Sequence, residues 1–165
     1  MSEGITSKEN REFTTSIGNW TGDATWEPGP IGGYNGVAKL ESAHWGDVKT
    51  MSLSYPYLKT PKGKFIANLI YTYKTAAEGI PRARIRITDG VYSYTRAWLN
   101  LTIDSMWIAL GYTPSLPVDW DKLNAILSID FESGALLVAS HVYLDFATLS
   151  WVSAKRQYLT VMGVG

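Results

Sequence analysis

Pro81 to Leu101 reads P-R-A-R-I-R-I-T-D-G-V-Y-S-Y-T-R-A-W-L-N-L, two alternating runs hinged at Asp89-Gly90. Asp-Gly between alternating segments signals a β-hairpin with a type I′ turn. Successive strand side chains point to opposite faces. Ala83, Ile85 and Ile87 therefore share one face of the first arm, and Arg82, Arg84, Arg86 and Thr88 share the other. In the second arm Tyr92, Tyr94, Arg96 and Trp98 have one parity. A two-residue loop pairs Thr88 with Val91, Ile87 with Tyr92, Ile85 with Tyr94 and Ala83 with Arg96, which lines one face with Tyr and Ile. The opposite face then carries a row of guanidinium groups that stay charged at any ordinary pH. A three-residue loop with a bulge shifts the pairing by one and sets the Arg row beside the Tyr and Trp row, as a cation-π groove. The Asp-Gly pair favours the two-residue loop.

Outward from the hairpin the same period continues. Phe65 to Lys74 is an apolar, β-branched and aromatic run of the kind found in the middle of a sheet. Asp47 to Leu58 alternates, with Pro56 at its end. Lys122 to Phe131 places Leu123, Ala125, Leu127, Ile129 and Phe131 on one face and reads as a strand rather than a helical turn. Ala135 to Ala139 and His141 to Val152 read as further strands. Near the start, Asn10 to Ile17 reads as a short strand, and Glu27 to Gly36 (E-P-G-P-I-G-G-Y-N-G) as a surface loop. Residues 1–9 are expected to form a flexible arm, residues 10–152 an antiparallel all-β sandwich or jelly roll, and residues 153–165 a docking tail. That tail carries Tyr158, Leu159, Val161 and Met162, an apolar set suited to a subunit contact.

Composition narrows the function. At 165 residues the chain is expected to be a single domain with a full core. Fifteen basic and fifteen acidic residues cancel, so no global field draws the protein to nucleic acid or to an anionic membrane. No cysteine is present, which removes disulfides, thiolate nucleophiles and thiolate metal sites. The N-terminus lacks an export signal and no stretch has the length of a membrane span. His44 and His141 stand alone, without metal-ligand spacing, and no nucleophilic triad has a local signature.

With both ends read, the chain resembles the carbohydrate-binding modules of the galactose-binding-domain-like jelly-roll class, of the type found beside xylanases and cellulases. The residues that carry the likeness are Asn10, Arg11, Glu12, Phe13 and Thr14 with the later Trp20, and the run Met51 to Leu58 with the turn Pro61 to Gly63. They continue with Phe65 to Tyr73, Asp119-Trp120, and Val142-Tyr143-Leu144-Asp145-Phe146. The resemblance implies a non-enzymatic, sugar-binding jelly roll with Asp145 buried. It also implies a structural calcium near Asp145, whose second acid is replaced here by Thr14. A hard cation needs about six to eight oxygens, so the expectation is no cofactor and no metal.

Trp98, Tyr92, Tyr94 and Arg96, with Trp107, Tyr112 and Trp120, have the chemistry to grip a pyranose, apolar rings beside polar groups. The same rings serve equally as core, and the two-residue register turns Tyr92 and Tyr94 inward. Trp45, Trp107, Tyr112 and Trp120 are flanked by polar or turn residues and are expected to be the more exposed rings, although Trp120 also suits a structural role opening a strand. Arg82, Arg84 and Arg86 suit a uronate, a sialate, a phosphate or an acidic neighbour, or a solvated face balanced by acids on the next strand. The function expected is a binding or structural protein, a virion accessory such as a phage head-decoration or tail-associated protein. Its partners would be itself, other virion proteins or a surface glycan, with no nucleic acid and no membrane. The alternatives are a stand-alone glycan-binding module, cytoplasmic or extracellular, and a small glycan hydrolase or lyase.

Overall fold

The structure is a computed structural model that describes residue 5 and residues 7–59, 64–73, 79–102 and 107–152. Two antiparallel sheets pack face to face. One contains β1 (Thr21–Gly22), β4 (Lys49–Ser54), β10 (Ile126–Glu132), β6 (Arg82–Thr88) and β7 (Ser93–Thr95) in that order, with β8 (Leu99–Asn100) also on β6. The other runs β2 (Thr25–Ile31), β3 (Tyr34–Ser42), β11 (Ser140–Val152), β5 (Lys64–Tyr73) and β9 (Ile108–Tyr112). Apart from the hairpin β2–β3 and the run β6–β7–β8, strands consecutive in sequence cross between the sheets, as in a jelly roll. Met51 and Leu53 of β4, Ile85 and Ile87 of β6, and Leu127, Ile129 and Phe131 of β10 meet Ala38, Leu40, Val142 and Leu144 of the other sheet in one core. The all-β sandwich expected from the period-two patterning is therefore the fold.

The hairpin register differs from the two-residue loop. Ile87 pairs with Tyr94 and Thr88 with Ser93, so Asp89 to Tyr92 form a wider loop. The Asp89 carboxylate accepts the backbone N–H groups of Val91 (2.9 Å), Tyr92 (2.7 Å) and Asp121 (2.9 Å). Thr88 donates its hydroxyl to the Tyr92 carbonyl, and Gly90 takes the left-handed φ of 91° that the bend requires. Local side-chain hydrogen bonds outcompete the tight turn. The slip is by two residues, so parity survives and Tyr94 still faces the core. A second shift follows. From Ile87 to Ala83 the first arm advances four residues, while their partners Tyr94 and Leu99 lie five apart. That extra residue reverses parity, turning Leu99 inward and Trp98 onto the Arg face.

Burial pushes the Asp89 carboxyl up, but the N–H groups of Asp121, Tyr92 and Val91 outweigh it and hold it below the usual carboxylate range. A depressed carboxyl stabilises the fold above its unfolded value, and that contribution is lost as pH falls through the folded value. Asp89→Ala orphans those donors and is expected to cost about 1–3 kcal/mol. Urea denaturation at pH 7 and pH 3 checks this: the gap between wild type and variant should shrink at the lower pH.

Several local expectations are corrected. Glu27 to Gly36 is the hairpin of β2 and β3, not a loop, because Pro28 and Pro30 lie on an edge strand where a missing N–H leaves no inner ladder bond unmade. Asn10 lies in one helical turn, α1 (Glu9–Glu12), with a Lys8–Glu12 ion pair along it. Ile5, within the expected arm, is buried and bridges Leu58. Lys122–Asn124 is a single 3₁₀ turn capped by the Asp121 side chain, so Leu123 is exposed and the strand starts only at Ile126. Ala135 to Ala139 is loop, with Leu136, Leu137 and Val138 exposed. The tail residues Tyr158, Leu159, Val161 and Met162 lie outside the described residues.

Candidate functional site

The outward face of the six-stranded sheet carries a built polar surface. Strand β10 alternates Leu127, Ile129 and Phe131 inward with Ser128, Asp130 and Glu132 outward. It lies between β4 and β6, so Asp130 stands opposite Thr50 and Arg84, and Ser128 opposite Ser52 and Arg86, while Glu132 stands opposite Arg82 alone. Asp130 accepts from the Thr50 hydroxyl (2.8 Å), Arg84 Nε (2.7 Å), Arg86 Nε (2.6 Å) and an Arg86 terminal nitrogen (2.8 Å). Glu132 accepts from Arg82 Nε and from the Gly46 backbone N–H. The acids lie beneath and the cations above: the Asp130 and Glu132 side chains are 1% and 4% exposed, those of Arg82, Arg84 and Arg86 are 26%, 29% and 36%. Burial pushes the Asp130 carboxyl up, but the hydrogen bonds from Arg86, Arg84 and Thr50 outweigh it and hold it below the usual range.

Aromatic rings flank these cations. The Arg82 guanidinium lies 4.2 Å from the Trp45 ring and 4.6 Å from that of Trp98, and the Arg84 guanidinium lies 4.3 Å from Trp98. The two partly exposed indoles thus bracket Arg82, and Trp98 is shared by both guanidiniums. This surface has the parts of a carbohydrate platform: ring faces for apolar C–H patches, and oriented N–H donors for hydroxyl or acid groups.

Of the rings named from sequence, Trp98 and Trp45 join this face. Trp120 is buried, its ring centroid 6.2 Å from that of Tyr94, so it has no open surface for a ligand. Tyr92, Tyr94 and Tyr112 pack against the core, and Tyr92 donates its hydroxyl to Asp119. Arg96 reaches the Gly111 and Ala97 carbonyls. Trp107 donates to the Gly32 carbonyl and meets Tyr34 edge to face, securing the β2–β3 turn. Of the Tyr and Trp row only Trp98 comes beside the Arg row, through the late register shift rather than the loop. Asp130 and Glu132 were missed as site residues. Their signal was present: two acids at the polar positions of an otherwise apolar strand.

A second feature lies at the edge of the other sheet. Glu12, Thr14, Tyr34, Asn35, Gly36 and Asp145 line a hollow of about 350 Å³. Asp145 is buried, as its place in the resemblance implied. Phe13 turns through a left-handed φ of 47°, and a Cβ on Gly36 would lie 2.5 Å from its carbonyl oxygen and 2.8 Å from that of Thr14. Among the described residues no three His, Cys, Asp or Glu side chains form a metal cluster. The lining side chains offer oxygens: the Glu12 and Asp145 carboxylates, the Asn35 amide and the Thr14 hydroxyl. That set fits calcium better than a transition metal. If the hollow holds calcium, saturating Ca²⁺ should raise the melting temperature and Asp145→Asn should abolish the rise, as differential scanning calorimetry can show. At a hundredfold excess over Kd the gain is about 2.7 kcal/mol.

An antiparallel jelly roll with this topology is the fold of carbohydrate-binding modules. Comparison with solved structures shows it directly. The carbohydrate-binding module TmCBM61, solved in complex with β-1,4-galactotriose, superposes with a TM-score of 0.58 at 12% identity, covering 88% of this chain and 96% of that one. A CBM28 module specific for non-crystalline cellulose gives 0.54 at 12% identity, with 92% and 98% covered. The enzymatically active domain of tailspike protein 4 of bacteriophage CBA120 gives 0.52 at 12% identity, covering 86% of this chain and 21% of that one. No family model and no curated protein matches the sequence.

Proposed function

We propose that this protein is a non-enzymatic glycan-binding module whose site is the outward face of the six-stranded sheet. One observation carries the reading: Trp45 and Trp98 bracket the Arg82 guanidinium, and Trp98 also lies against that of Arg84, over two buried carboxylates. Both acids are engaged by arginines, which suits them to positioning and not to proton transfer. The likeness to modules that bind galactotriose and cellulose supports the class of ligand. A glycan microarray tests it, alongside a reducing-sugar assay on every glycan retained. Retention without release of reducing ends is expected, and steady release would make the protein a hydrolase or lyase.

A second reading, a virion accessory protein, draws on a different observation. The same fold occurs within a phage tailspike chain. The loop bearing Leu136, Leu137 and Val138 is exposed to 73%, 94% and 45%, an apolar surface suited to a neighbouring subunit. Light scattering after size exclusion tests this. Self-association lost in Leu137→Asp favours the reading, and a monomer at every concentration counts against it.

A further inference from the structure

We infer that the glycan recognised is acidic, one whose sugars carry carboxylates; the inference rests on the glycan-binding reading above and names the ligand chemistry. Three cations and two acids make up the face, so it retains one positive charge when each group holds its ordinary state. Depth matters more than the sum. The acids sit under the cations at 1% and 4% exposure, so the outermost charges are guanidinium groups. A ligand settling here meets positive charge first.

The orientation of those groups adds specificity. Arg82 and Arg84 bond to their acids through Nε. Among the described residues no partner occupies the terminal nitrogens of either. Arg82 is also held against two indole rings and Arg84 against one. A planar cation fixed at Nε and against its face offers a pre-oriented edge of N–H donors, which matches a carboxylate as two parallel hydrogen bonds. A neutral hydroxyl cannot use both donors of that edge equally well. Arg82 and Arg84 are two residues apart on one strand, so their Cα atoms are separated by roughly 7 Å, and they form a short ladder suited to acids repeated along a chain.

The experiment compares matched ligands on the whole protein. Polygalacturonate, alginate, hyaluronan and a sialylated oligosaccharide are each presented beside their carboxyl-reduced forms, with neutral β-1,4-galactan as a further arm, in 50 and 300 mM salt. Binding of at least one acidic glycan, at least tenfold weaker after carboxyl reduction and weakened by salt, is expected. Arg84→Lys should lose most of that preference for the acidic form, because it keeps the charge and removes the planar edge. Equal binding of acidic and reduced forms, or binding of neutral galactan alone, overturns the acidic preference and leaves the glycan reading intact. Failure to bind any arm overturns both.

Discussion

Replacing both Arg84 and Arg86 by Gln should destabilise the protein by about 3–5 kcal/mol, the cost typical of leaving a buried charge without its partners. Asp130 is fully buried within the sheet, and the two arginines supply three of the hydrogen bonds that hold its charge there. Removing them leaves the Thr50 hydroxyl. For a chain of this length each kcal/mol is worth roughly 2–4 °C, so the melting temperature should fall by about 6–20 °C. The pH dependence fixes the cause. In the wild type the Asp130 carboxyl lies below its unfolded value, so its contribution is complete above the ordinary carboxylate range and disappears as pH falls through the folded value. In the double variant only the Thr50 hydroxyl opposes burial, the carboxyl rises, and the neutral form is favoured. The gap between the two proteins should therefore narrow from pH 7 towards pH 3. A constant gap would mean that the arginines stabilise by packing alone.

Trp98→Ala has the second large effect, and it falls on binding rather than on stability. The ring lies half-buried on the outward face, against Arg82 and Arg84, rather than in the core. Its removal takes away a stacking surface and frees both guanidiniums to reorient. Aromatic anchors of this kind typically contribute 2 kcal/mol or more, so affinity for the best glycan should fall at least thirtyfold, with less than about 1 kcal/mol lost in urea. Trp120→Ala should do the reverse, because that ring is buried against Tyr94: stability lost by about 3–5 kcal/mol. Similar effects of both substitutions on binding would indicate a global disturbance and remove the case for a site on this face.

The fold was legible because burial imposes a period of two, and Ile85, Ile87, Leu127, Ile129 and Phe131 write it plainly. The inward turn of Tyr94 followed for the same reason and survived an error in loop length. What the pattern could not show was the place of Trp98. One extra residue between Tyr94 and Leu99 reverses its side, and no periodicity announces a bulge. Asp130 and Glu132 were hidden differently: pairing of β10 with β6 is long-range, and local sequence says nothing of which acid will stand opposite which arginine. Glu12 reached the Asp145 hollow by a left-handed turn at Phe13, a conformation uncommon for a side chain of that size. Pro28 and Pro30 looked like loop because proline breaks inner strands, and they are strand here because β2 is an edge.

The central claim is that glycan binds the outward face of the six-stranded sheet, and indole N–H signals can report on it directly. The sequence has seven tryptophans, each giving one such resonance in a two-dimensional ¹⁵N spectrum. Those of Trp20, Trp26 and Trp107 donate to the carbonyls of Asn10, Phe13 and Gly32, away from the proposed site. Titration with the best oligosaccharide from the array should shift Trp45 and Trp98, together with the Nε–H signals of Arg82 and Arg84, and leave those three in place. Shifts confined to Trp26 and Trp107, beside the Asp145 hollow and the β2–β3 turn, would contradict the account and move the site to the other sheet.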